Sequence, residues 1–163
     1  MKTIILILSI LIMGLGQAPK KDNGLEIYQV KKRIPIFSTK PECYYCLDIK
    51  TEDLFDKPIL TELDFIEFDF TNQQIKLTEE GRKKLKNIEI PLEGLPVAML
   101  LNGEIIYGFW FWNIISSFGC DRVYSYPTLD FKIKFGLPES NTFGEDPRFD
   151  QRLEKYINKK IEN

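Results

Sequence analysis

The stretch from Pro96 to Phe109 constrains the fold of this chain more than any other part of it. Pro96-Val97-Ala98-Met99-Leu100-Leu101 is a short, nearly all-apolar run bounded by turn residues, the pattern of a central strand. Asn102-Gly103 follows, and both residues of a tight hairpin turn must take positive φ, which this dipeptide tolerates best. Glu104 to Phe109 returns as the partner strand. A hairpin over 97–109 therefore anchors the reading of the rest.

Upstream, Phe65, Ile66, Phe68 and Phe70 interleave with Glu67 and Asp69, which predicts a strand with one buried face. A turn near Asn72 leads into a second strand, Gln74-Ile75-Lys76-Leu77. Thr78 is a good N-cap. Glu79 and Glu80 sit where the helix dipole favours negative charge, and Arg82, Lys83, Lys84 and Lys86 sit further along. The spacing predicts a helix over 79–87, weakened at Gly81 by roughly 1 kcal/mol against alanine. Thr61-Glu62-Leu63-Asp64 fits a capping box and predicts one helical turn.

Towards the N-terminus we expect strands near 25–31 and 34–38, and a short helix between the Cys43–Cys46 motif and Phe55. Further on, 113–118 reads as a short helix ended by Gly119, and 122–126 and 131–135 read as strands around Pro127. Asp146-Pro147 opens a final helix over 147–160, with Phe149, Leu153, Tyr156 and Ile157 on one face. The expected fold is one α+β domain: a mixed or antiparallel sheet with the helix near 79–87 and the C-terminal helix packed on it.

The chain has 163 residues. Its start, Met1-Lys2-Thr3 and then an apolar run from Ile4 to Met13, has the form of a secretory leader. Gly16 and Ala18 place small residues at −3 and −1 of a cleavage site. The run is shorter than the roughly 20 residues a membrane-crossing helix needs. The expectation is a signal peptide over 1–18 and a mature domain over 19–163, secreted or periplasmic, with no stable membrane span after cleavage. An uncut anchor is the alternative.

Composition narrows the chemistry. The sequence contains no histidine, which removes Ser-His-Asp and Cys-His catalysis and most zinc sites. Net charge is −2, and the basic clusters Lys31-Lys32-Arg33 and Arg82-Lys83-Lys84 are short. Nucleic-acid binding, which needs clustered positive charge, is not expected. Asp64, Glu67 and Asp69 lie close in sequence, as acids do on the wet side of a strand. No cofactor or metal is implied.

Three features remain as site candidates. Cys43-Tyr44-Tyr45-Cys46 is a CxxC pair. At a helix start the dipole would stabilise the thiolate of Cys43, and Cys46 would resolve the mixed disulfide. A structural disulfide is the alternative, and the odd cysteine, Cys120, makes pairing with Cys43 or Cys46 equally open. The third is Tyr107-Gly108-Phe109-Trp110-Phe111-Trp112. Alternation places Tyr107, Phe109 and Phe111 on one face and Trp110 and Trp112 on the other. If one face is open, Tyr107, Trp110 and Trp112 are candidates for partner binding; if not, the strand is buried on both sides.

Two family resemblances attach to these residues. The CxxC motif, the strand-like Ile34–Ser38 before it, and Gly94-Leu95-Pro96 leading into a strand together resemble the thioredoxin family. Glu42 stands where that family has tryptophan before the first cysteine. The resemblance implies thiol–disulfide exchange, with Cys43 as nucleophile, Cys46 as resolver and Pro96 as a substrate-facing proline after a cis bond. The second involves Pro58–Ile66, Ile75–Leu85 with its Leu77-Thr78-Glu79-Glu80-Gly81-Arg82-Lys83-Lys84-Leu85 segment, and Leu95–Glu104. Together they look like the periplasmic head subdomain of the SecD/SecDF export factors and small exported bacterial proteins of unknown function. That resemblance implies a fold and a binding role over about 58–118, without catalytic residues. The leading expectation is a non-enzymatic cell-envelope protein that binds a protein or peptide partner. The alternative is a thioredoxin-like oxidoreductase. The redox reading needs Cys43 exposed at a helix start close to Pro96; the accessory reading predicts Cys43 buried, bridged to Cys120, or distant from Pro96.

Overall fold

A computed structural model describes residues 23–31 and 43–161. The leader over 1–18, its cleavage site and the strand expected near 34–38 lie outside the described residues. The elements are β1 (Leu25–Gln29), β2 (Phe65–Asp69), β3 (Gln74–Leu77), α1 (Glu79–Lys86), β4 (Leu95–Leu101), β5 (Glu104–Phe111), β6 (Cys120–Ser125), β7 (Ile133–Leu137) and α2 (Gln151–Ile161). Single 3-10 turns occur at Thr51–Asp53, Glu62–Asp64 and Pro147–Phe149. The fold is α+β, with two helices among the described residues, a five-stranded sheet ordered β1-β4-β5-β6-β7, and β2 and β3 forming a separate hairpin. Among the described residues no helix is long and apolar enough to cross a membrane.

The β4–β5 hairpin turns at Asn102 (φ 52°) and Gly103 (φ 79°), as the dipeptide predicts. The Asn102 side chain also accepts a hydrogen bond from the Gly24 N–H, tying the turn to the start of β1. β1 lies antiparallel to β4, and its outer edge is covered by residues 53–60, which bond to Ile27, Gln29 and Lys31. Blunting an edge in this way prevents its pairing with another chain. β5 and β6 run parallel and pair only through Trp110–Tyr124 and Phe111–Ser125, and β7 closes the other edge antiparallel to β6.

β4 is buried at every position because the sheet is covered on both faces. On one face Val97, Met99, Phe109, Phe111 and Val123 pack with Phe68, Ile75 and Leu77 of the small hairpin, Leu85 of α1, and Leu153 and Ile157 of α2. The Thr78 side chain caps α1 by accepting from Gly81 N–H, 3.1 Å away. Gly81 has a second reason to be there: a Cβ at this position would sit 2.9 Å from the Asp64 carbonyl oxygen. Its helix-propensity cost accompanies the close approach of α1 to the start of β2.

On the other face the cover is an irregular segment, residues 43–55, not a helix. Val30 and Leu54 pack with Ala98 and Leu100, and Tyr45 and Leu47 pack on Trp110, Trp112, Cys120 and Tyr124. The short helix expected between Cys46 and Phe55 is thus reduced to one 3-10 turn. The helix expected over 113–118 is a turn: the Asn113 amide donates to the Ile90 carbonyl while its oxygen accepts from Ile115 N–H. Such side-chain bonds offer the backbone an alternative to helical pairing. The final helix starts later than expected, at Gln151, so Phe149 falls in the preceding 3-10 turn and is half exposed.

Candidate functional site

Tyr44 and Tyr45, the two residues between the cysteines of the CxxC motif, line a cleft on this second face. Cys43 and Cys46 are joined by a disulfide with Cα atoms 5.7 Å apart. No helix begins at the pair. Cys43 is buried at 7% exposure, whereas Cys46 is exposed. Cys120 is a free, fully buried thiol, and burial, first among its causes, pushes its pKa up to about 12. It is therefore protonated at neutral pH and shielded, the condition of an inert structural cysteine.

Two anchors hold the intervening residues. The Asp121 carboxylate of β6 accepts from Tyr44 N–H at 2.8 Å and from Tyr45 N–H at 3.1 Å. Asp121 is itself only 6% exposed. The Trp110 indole N–H donates to the Tyr45 carbonyl at 2.9 Å. The Tyr45 ring stands edge-on to Trp110 and Trp112, centroids 5.2 and 5.1 Å away. Burial, the largest cause, pushes the Tyr45 phenol up to about 12. A loop with no secondary structure thus has the Tyr44 and Tyr45 N–H groups and the Tyr45 carbonyl satisfied by side chains and a ring packed on the sheet.

The cleft beside this loop has a volume of about 970 Å³. Tyr44 and Phe55, both substantially exposed, line it, as do residues of the loop 87–94, Glu89 and Glu93 among them. Pro96 and Trp110 line it as well. The structure therefore brings Pro96 to the same cleft as Tyr44 and Tyr45. The Pro96 carbonyl accepts from Val30 N–H, and the Leu95–Pro96 bond is trans, not cis as the thioredoxin resemblance implies, which counts against that resemblance; Leu137–Pro138 is the cis peptide among the described residues. A smaller pocket of about 300 Å³ lies between β3, α1 and residues 127–131. Its Arg82 already donates to the Leu77 carbonyl.

The aromatic segment needs a correction. Tyr107, Trp110 and Trp112 are 6%, 4% and 1% exposed, so they do not form an open patch. Tyr107 points into the helix-covered core, while Trp110 and Trp112 lie beneath Tyr45. Of the three, Trp110 reaches the cleft wall. Cys120-Asp121-Arg122 is polar enough in sequence to rim a pocket, but the anchoring of the 44–45 amides by Asp121, and Phe55, Glu89 and Glu93 on the cleft, escape a sequence reading. The one available signal was an acid at the start of a largely buried strand, Cys120–Ser125. Among the described residues no three His, Cys, Asp or Glu side chains gather as metal ligands would. Comparison with models of known families, with curated proteins and with solved structures finds no match to this chain.

Proposed function

We propose that this protein is an exported, non-enzymatic binding protein of the cell envelope that holds an extended polypeptide segment in the cleft beside the Cys43–Cys46 loop. The observation that carries the reading is the cleft itself: about 970 Å³, open to solvent, with Tyr44 and Phe55 exposed on its wall. Aromatic side chains on a concave surface give large contact area at small entropic cost. Export rests on the leader pattern over residues 1–18, and the Cys43–Cys46 disulfide is compatible with an oxidising compartment. The burial of Cys43, away from any helix start, favours a structural pair.

The test uses the mature chain and a fluorescently labelled, reduced and carboxymethylated polypeptide that cannot fold. Binding is read by anisotropy. The wild type should bind, and the double variant Tyr44→Ala/Phe55→Ala should bind at least ~10-fold more weakly, the equivalent of about 1.4 kcal/mol. Absence of wild-type binding, or equal binding by the variant, overturns the reading.

A second reading, thiol–disulfide exchange, is favoured by one observation: Cys46 is exposed and follows directly on Tyr45, which lines the same cleft as Pro96.

A further inference from the structure

We propose that Cys46, not Cys43, is the sulfur through which the pair exchanges with another thiol, and that Asp121 is the positioning residue that keeps it outward. The inference rests on the second reading above and reverses the order of attack that the sequence suggests. Exchange proceeds by a thiolate approaching one disulfide sulfur while the other sulfur leaves, so access decides which of the two is attacked. Here access is one-sided. Cys46 is exposed, and Cys43 is buried at 7%.

The asymmetry is fixed by the two residues between the cysteines. Asp121 takes both their N–H groups, at 2.8 and 3.1 Å, from a strand 77 and 76 positions away in sequence. The Tyr45 ring meets Trp110 and Trp112, and the Tyr45 carbonyl is held by the Trp110 indole. For Cys43 to turn outward, all of these contacts must break. Cys120 does not compete, since its buried Sγ faces the Arg122 carbonyl.

The chemistry balances with a dithiol as co-reactant. One thiolate of the dithiol adds to Cys46 Sγ. The Cys43–Cys46 bond breaks, and its electron pair leaves on Cys43 Sγ, which takes a proton. The second thiolate of the dithiol then attacks its own partner sulfur in the mixed disulfide and expels Cys46 Sγ, which is protonated in turn. The dithiol leaves as a disulfide, oxidised by two electrons, and the protein holds the reduced pair.

The reverse half-reaction gives the test. The variants Cys43→Ser and Cys46→Ser each leave one thiol of the pair, and each is mixed with cystamine while mixed-disulfide formation is followed by mass spectrometry. Cys43→Ser, which retains Cys46, should react at least ~10-fold faster than Cys46→Ser. Equal rates, or a faster Cys43, overturn the order of attack. In the intact chain, a brief iodoacetamide pulse after mild reduction should place the first label on Cys46, which keeps the test independent of how the variants fold. Asp121→Ala should shrink the preference towards unity, and Asp121→Asn, which keeps one acceptor oxygen, should restore part of it. A preference unchanged in Asp121→Ala overturns the positioning role. Failure of the redox reading is a separate result: the wild-type disulfide then resists an excess of dithiothreitol altogether, which overturns the inference with it.

Discussion

The two faces of the five-stranded sheet are covered in opposite ways. One carries α1, α2 and the β2–β3 hairpin over a core of aliphatic and phenylalanine side chains. The other carries an irregular segment whose contacts are tryptophan, tyrosine and a carboxylate. Helices satisfy their own backbone, so that face needs only apolar complementarity. An irregular segment does not, so every buried N–H must be met by a side chain from elsewhere. The proposed binding cleft and the CxxC pair lie on the second face for the same reason. Its geometry is set by individual long-range contacts rather than by a repeating ladder, which leaves room for a cleft and an exposed Cys46.

The contrast can be broken most strongly from the helical side. Phe109 is fully buried there, and Phe109→Ala should cost about 3–5 kcal/mol in a denaturant titration, lowering the midpoint for the whole domain. A local effect confined to residues 43–55 would show that the faces are not unequal in this way.

Gly108 probes the second face. A Cβ there would press on the Ile49 side chain and lie 3.0 Å from Leu47 Cβ, which sits next to the backbone and cannot swing away. Gly108→Ala should cost about 1–3 kcal/mol through overpacking. Hydrogen exchange should accelerate selectively at the Tyr44 and Tyr45 amides. Uniform acceleration across the sheet would mean that the segment is an integral part of the core.

The smallest effect is electrostatic and lies at the foot of α1. Burial pushes the Asp64 carboxyl up, but hydrogen bonds from Lys84 and Thr61 outweigh it and hold the group below its ordinary value. A pKa lowered in the folded state stabilises the fold above the unfolded value, near 3.9, and that contribution fades as pH falls through the folded pKa. Lys84 is half exposed, so solvent screens part of the pair. Asp64→Asn should cost about 1 kcal/mol at pH 7 and flatten the stability profile below about pH 4. An unchanged acid limb would remove Asp64 from the account.

The helical face was largely legible in the sequence. Asn102-Gly103 and Thr78 act within a few residues of themselves, and the turn and helix they announce are present. The second face was not. Residues 43–55 carry no period because their partners are remote, as Tyr44 and Asp121 are. The same holds for 113–118, where Asn113 reaches back to Ile90. The aromatic segment illustrates both cases. Its alternation correctly divides Phe109 and Phe111 from Trp110 and Trp112, but no local pattern tells that Tyr45 would cover the second set. The cleft, made by residues from four parts of the chain, leaves no trace in any one of them.

The bond between Asn102 and Gly24 joins positions 78 apart. The β4–β5 hairpin closes across two residues, so it forms early and at little cost in chain entropy. β1 has to be brought back across the intervening chain before it gains anything, and it then completes the sheet on a surface already in place. Assembly therefore has a direction: the middle of the polypeptide sets the template, and the strand nearest the N-terminus joins it late. Mutations in β4 and β5 should slow folding, whereas those in β1 should chiefly hasten unfolding.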